Sequence, residues 1–189
     1  AAEQGFLPAQ DTLGYCYQMG YGVAKDLKQM LYWYERAARY GHPSAQYHLA
    51  CCYDFGEGVP KDDKKAFQWY ERAAENGVAS AMCNLGCCYE DGQGVEQNQE
   101  EAASWYERAA LAGDAMGQCN LGLLYDQGLY KPQDHAQAVE WYRKAAEQGL
   151  PRAWRLLGNS YALGEGVERD YTRAMGYYHL AAQQGDGDA

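Results

Sequence analysis

Four side chains carry the residue types and spacing of a metal or redox centre. His48 and Cys51 stand three apart, and Cys83 and Cys87 stand four apart further along the chain. At helical spacing each pair falls on one face, and imidazole with thiolate is a donor set that zinc favours. The close Cys-x-x-Cys knuckle of structural zinc sites is missing, and neighbouring helices would hold the two pairs about 9–10 Å apart. No metal and no other cofactor is therefore assigned, and a Cys/His metal or redox site stays a minor alternative. Cys16, Cys52 and Cys88 read as small buried apolar residues.

Other reactive patterns are missing. No serine is followed three residues later by lysine, and the His-Glu-x-x-His, Gly-x-Gly-x-x-Gly, phosphate-loop and calcium-loop motifs do not occur. His42, His135 and His179 read as isolated surface histidines. The sequence is that of a non-enzyme.

Charge narrows the partners. With 26 acidic and 16 basic residues the net charge is −10, which disfavours nucleic acid or an anionic membrane and favours a cationic protein or peptide. No apolar run is long enough to span a bilayer. Seven cysteines leave at least one unpaired, and Cys83 and Cys87, four apart on one helix, would form a strained disulfide. Equivalent cysteines one period apart would exceed the usual Cα limit of about 7 Å for a disulfide. No Asn-x-Ser/Thr acceptor occurs. Free thiols in a reducing cytoplasm are the expectation.

The elements that hold these residues repeat every 36 positions. Trp33-Tyr34, Trp69-Tyr70, Trp105-Tyr106, Trp141-Tyr142 and Tyr177-Tyr178 are in register, as are Leu13, Leu49, Leu85, Leu121 and Leu157. A fixed period of this size predicts a solenoid, in which each unit buries its apolar face only by stacking on its neighbours. The chain is expected to be one array over 1–189, with units 1–36, 37–72, 73–108, 109–144 and 145–180 and a partial sixth, 181–189. Its abrupt ends suggest a piece of a longer array, with no polar capping repeat at either terminus.

In the second unit, Pro43 to Phe55 carry apolar residues at helical spacing, and Pro43 suits a first turn. Gly56-Glu57-Gly58 ends this helix A, and Val59 is expected to turn into the core. Asp62 is the expected N-cap of helix B, with Asp26, Asn98, Asp134 and Asp170 as its equivalents. Helix B then carries Ala66, Trp69, Tyr70, Ala73 and Ala74 and stops at Gly77. These recurring residues read as framework, each Tyr burying its ring and placing its hydroxyl on a neighbour.

The residues Ala45-Gln46-x-x-Leu49, Tyr53-x-x-Gly56-x-Gly58-Val59-x-Lys61-Asp62 and Ala66-x-x-Trp69-Tyr70-x-x-Ala73-Ala74-x-x-Gly77 closely resemble the Sel1-like repeat family, a branch of the tetratricopeptide-type helical solenoids. The resemblance covers the whole chain. It implies an all-α, right-handed superhelix of helix pairs with helix A on the concave side, acting as an adaptor for proteins or peptides. Two departures stand out. The fourth unit reads Gly128-Leu129-Tyr130-Lys131, and a Tyr at a glycine position predicts a different loop. Secreted cysteine-rich members staple the helices of each repeat, whereas here every thiol lies on helix A.

In such an array, framework positions stay constant and binding positions vary. By analogy with tetratricopeptide geometry, the concave groove is expected to present Tyr15; Tyr47, His48, Cys51 and Asp54; Asn84, Cys87 and Glu90; Asn120 and Asp126; and Asn159. Asp54, Glu90 and Asp126 form an acidic row. Asn84 and Asn120 share one slot, where an amide can grip the backbone of an extended peptide. The aromatics are of the type found at binding hot spots. A monomer holding a Lys- or Arg-bearing segment is the expectation. The alternative is a dedicated inhibitor, such as an immunity or effector protein that occupies one folded target.

Overall fold

The computed structural model describes residues 2–129 and 131–185. The loop expected from Tyr130 therefore lies outside the described residues. The chain divides into two compact units, Ala1–Asn98 and Gln99–Ala189. The first holds α1 (Leu7–Met19), α2 (Leu27–Arg39), α3 (Pro43–Phe55), α4 (Asp63–Glu75) and α5 (Ala79–Asp91). The second holds α6 (Gln99–Leu111), α7 (Ala115–Gln127), α8 (His135–Glu147), α9 (Pro151–Leu163) and α10 (Tyr171–Gln183). There is no strand among the described residues, and within each unit every helix packs on the next.

Local chemistry sets these boundaries. Asp26, Asp62, Asp134 and Asp170 cap the N-termini of α2, α4, α8 and α10 by accepting from backbone N–H groups of the first turn. Such a cap contributes about 1 kcal/mol. Each odd-numbered helix ends on a glycine at positive φ, as at Gly56, whose N–H returns to the carbonyl of Cys52. The loop is then closed a second time. The N–H of Asp62 donates to the carbonyl of Tyr53 at 2.9 Å, and Asp134 to Tyr125 and Asp170 to Tyr161 do the same.

The second glycine of the loop meets a different demand. A Cβ on Gly94 would lie 2.2 Å from the carbonyl oxygen of Asp63, and one on Gly166 2.1 Å from that of His135. Here the loop backbone rests directly on the first turn of the preceding even-numbered helix, an approach only glycine permits.

The core follows the period. Tyr34, Tyr70, Tyr106 and Tyr142 and Leu49, Leu85, Leu121 and Leu157 are almost wholly buried, flanked by paired alanines such as Ala73 and Ala74. Val59 packs against this core as expected. The tryptophans differ from a simple core residue: Trp69, Trp105 and Trp141 are only half-buried. Each carries a cation over its ring from one helical turn on, with Arg72 at 4.4 Å, Arg108 at 3.8 Å and Lys144 at 3.7 Å. These aliphatic stems shield the outer ring face while the charge stays in water.

A buried amide ties successive helix pairs. Gln46 donates to the carbonyl of Ala38 at 3.3 Å and accepts from Asn76 at 2.9 Å. In the second unit Gln118 donates to Ala110 at 3.4 Å and accepts from Gln148 at 2.9 Å. One glutamine thus satisfies a helix-end carbonyl on one side and braces the next helix on the other, so burying it carries little penalty.

Candidate protein-binding surface

In the first unit the expected site residues gather along α1, α3 and α5. Tyr15 is 43% exposed and meets Tyr21 edge-on at 6.0 Å. On α3, Tyr47 is half-buried, its ring 5.9 Å from that of His48 and 6.0 Å from that of Tyr70. His48 lies over Tyr34 at 4.9 Å and pairs through Nδ1 with Asp11 Oδ1 at 2.7 Å. Tyr70 reaches up between Cys51 and Asp54, donating to the carboxylate at 3.0 Å with the thiol at 3.5 Å. On α5, Asn84 and Cys87 are half-buried and Glu90 is exposed.

In the second unit α7 carries Asn120 and Asp126, and α9 carries Asn159. Asn120 is 9% exposed and its carbonyl accepts from Arg152 at 3.1 Å. Asp126 pairs with His135 Nδ1 at 2.7 Å. Asn159 is exposed and accepts from the Tyr178 hydroxyl at 2.8 Å.

One member of the acidic row also serves the framework. Asp54 and, in the same slot, Gln18 are acceptors for the buried tyrosine sixteen residues on, Tyr70 and Tyr34 respectively. Burial pushes both phenols well above their usual range, so each hydroxyl remains a neutral donor. Tyr142 differs. It is 1% exposed, and among the described residues its hydroxyl makes no hydrogen bond of good geometry, although the Asp126 carboxylate lies close enough to raise its pKa and is engaged by His135. The sequence pattern marked Asp54 as variable, but its tie to the framework lies sixteen residues away.

The donor atoms that converge are not the pairs weighed from the sequence. Among the described residues, His48, Cys51, Cys83 and Cys87 do not converge as a group of three donors. The group that does is Asp126, His135 and Glu165, with ligand atoms within 4.8 Å of one another. The hydrogen bond to Asp126 raises the His135 pKa above its usual value. No disulfide joins the seven cysteines. Burial pushes Cys52 and Cys88 up to about 12 and Cys119 to about 11, in line with an apolar packing role.

Paired helices in register, glycine-stopped and aspartate-capped, define a helical-repeat protein. The chain belongs to the Sel1 repeat family, whose profile matches residues 7–42, 43–78, 79–114, 115–150 and 152–186. It is similar to the crystal structure of a Sel1 repeat protein from Oxalobacter formigenes at 37% identity and a TM-score of 0.89, covering 97% of this chain and 73% of that one. It is also similar to c5321, a protective antigen of uropathogenic Escherichia coli with the same fold. There the identity is 37% and the TM-score 0.85, over 97% of this chain and 39% of that protein. The immunity protein Pa5087 from Pseudomonas aeruginosa aligns at 25% identity and a TM-score of 0.66, covering 94% of this chain and 67% of that one. No match was found among curated proteins. Sel1 repeat proteins are in general protein-interaction scaffolds. No helix among the described residues is long and apolar enough to cross a membrane.

Proposed function

We propose that the chain is a non-enzymatic adaptor that holds a protein or peptide segment against the exposed faces of its odd-numbered helices. The observation that carries this reading is a repeated framework whose variable positions hold exposed or half-buried aromatic, amide and acidic groups. Tyr15, Tyr47 and Asn84 in the first unit, and Asn159 in the second, offer rings and amides at such positions. The net charge of −10 favours a segment bearing Lys or Arg. Seven cysteines outside disulfides suit a reducing compartment such as the cytoplasm, and the adaptor is expected to act as a monomer.

A second reading is favoured by the likeness to the immunity protein Pa5087: a dedicated inhibitor that occupies one folded target. The two separate by size and affinity. An adaptor takes short segments at about micromolar Kd, whereas an inhibitor buries a large folded surface at about nanomolar Kd.

The test is an affinity capture from native host lysate with this chain and with a Tyr15→Ala, Asn84→Ala, Glu90→Lys variant. A partner bound by the parent and lost by the variant supports the helix-A surface. A partner held equally by both moves the site elsewhere, and a preference for acidic peptides overturns the charge argument.

A further inference from the structure

One cleft in the second unit departs from the charge pattern of every equivalent slot. It has a volume of about 360 Å³ and is formed by Arg143 of α8, Tyr161 of α9, the loop residues Glu168, Arg169 and Asp170, and Arg173 of α10. Tyr161 is only 5% exposed, and its ring stacks on Tyr177 at 5.6 Å. Its hydroxyl oxygen accepts from Arg143 Nη2 at 3.2 Å and from Arg173 Nη1 at 3.4 Å. A guanidinium has five donors and no acceptor. Neither partner can therefore accept the phenol's own hydrogen, which lies beside a cleft lined by three arginines together with Glu168 and Asp170.

The framework does not require this arrangement. At 36-residue intervals Arg143 is replaced by Glu107, Glu71 and Glu35, a reversal of charge. Arg169 is replaced by Gln133, Gln97, Lys61 and Lys25, and Arg173 by Gln137, Glu101, Lys65 and Gln29. One repeat earlier Glu107 is neutralised by Lys131 at 3.1 Å, with Lys131 5.5 Å from the Tyr125 ring. Three arginines meet around the conserved-register tyrosine only at Tyr161.

The nearby carboxylates are largely committed. Glu140 takes Arg143 Nη1 at 2.6 Å. Asp170 uses Oδ1 to cap α10 and Oδ2 to hold Arg173 Nε at 3.3 Å. Glu168 lines the cleft, and Arg169, 5.6 Å over the Tyr171 ring, has no carboxylate partner among the described residues.

We propose that this cleft binds an oxyanion, a carboxylate or a phosphate group, between the Tyr161 hydroxyl and the Arg169 guanidinium, with Arg143 and Arg173 holding the phenol in place. Charge-assisted hydrogen bonds from a fork-shaped guanidinium suit both groups. The Arg143 hydrogen bond also holds the Tyr161 pKa below the usual phenol value, which makes its O–H a stronger donor. The site uses residues separate from the helix-A positions of the proposed adaptor surface and stands or falls independently of it.

Titration of the intact chain tests this, with inorganic phosphate in one arm and N-acetylglycine in the other, at constant ionic strength against sodium chloride. The readout is the arginine Nε–Hε NMR signals. Saturable shifts of the Arg169 signal with either anion are expected, and the anion that saturates at lower concentration identifies the oxyanion preferred. Arg169→Gln, read through Arg143 and Arg173, and Tyr161→Phe should each raise the apparent Kd about tenfold or more, the loss expected of one charge-assisted bond. Arg143→Glu installs the residue of the preceding repeats and should abolish saturation while leaving the helical circular dichroism intact. Shifts that stay linear, that chloride reproduces, or that survive in Tyr161→Phe and Arg169→Gln overturn the site.

Discussion

The hydroxyl of Tyr70 donates to the carboxylate of Asp54 across 3.0 Å, joining the last turn of α3 to the middle of α4. A residue on the expected binding face is thereby also an anchor for the core. In Asp54→Ala the buried phenol loses its carboxylate acceptor and keeps only the weak Cys51 thiol at 3.5 Å, and leaving such a group poorly satisfied costs about 1–3 kcal/mol. Tyr70→Phe removes the donor instead. If the bond is what matters, the double variant should be more stable than the sum of the two single losses implies, measured by urea unfolding. Strict additivity would place the Asp54 effect elsewhere.

The glycine contacts predict a sharper loss. Gly166→Ala brings a Cβ to 2.1 Å from the carbonyl oxygen of His135 and asks alanine to hold φ of +71°. The backbone conformation alone costs about 1–3 kcal/mol, and the clash adds to it. Gly149→Ala, also at positive φ but with open space around it, should suffer only the conformational part. A difference in thermal unfolding between the two variants checks the close approach, and equal losses would refute it.

Much of this architecture is legible in the period. The 36-residue register, the aspartate caps and the glycine stops each follow from a local rule, and the helix boundaries fall where Pro43, Gly56 and Asp62 place them. What the period does not disclose is which variable residue serves the framework. Asp54 varies across repeats, yet its partner Tyr70 does not, and that bond exists only once the two helices have packed. The half-exposed tryptophans are similar: Trp105 reads as core until Arg108 is seen 3.8 Å above its ring. The Tyr161 cleft was legible in principle, because Arg143 reverses the charge of Glu35, Glu71 and Glu107. That signal lies on helix B, outside the positions that the helix-A groove directs attention to.

Thiol burial predicts an order of modification. Cys52, Cys83, Cys88 and Cys119 are buried, and Cys16, Cys51 and Cys87 are half-buried, with burial raising the Cys51 pKa above the usual thiol value. The thiolate is the reacting species, and burial holds Cys52 and Cys88 at about 12. Iodoacetamide at neutral pH should alkylate Cys16 and Cys87 first, with Cys52, Cys88 and Cys119 labelled only in denaturant. Mass spectrometry of a time course reads the order. Early labelling of Cys52 or Cys119 in the native protein would contradict the packing.

The Asp126–His135 pair gives a titration with a defined sign. The hydrogen bond to Asp126 raises the His135 pKa above its ordinary 6.5. A group whose folded pKa is raised stabilises the fold fully below the unfolded pKa, and that contribution fades as pH rises through the folded pKa. Side-chain exposures of 33% and 28% keep the pair near the surface, so its contribution is at most about 1 kcal/mol. NMR titration of His135 should therefore give a midpoint above 6.5, and Asp126→Asn should move it down. The same variant should remove the small excess of stability at about pH 5.5 over about pH 9 that this pair supplies, with His135→Gln as the matching control. A His135 midpoint at or below 6.5 in the parent protein would show that the ion pair does not form in solution.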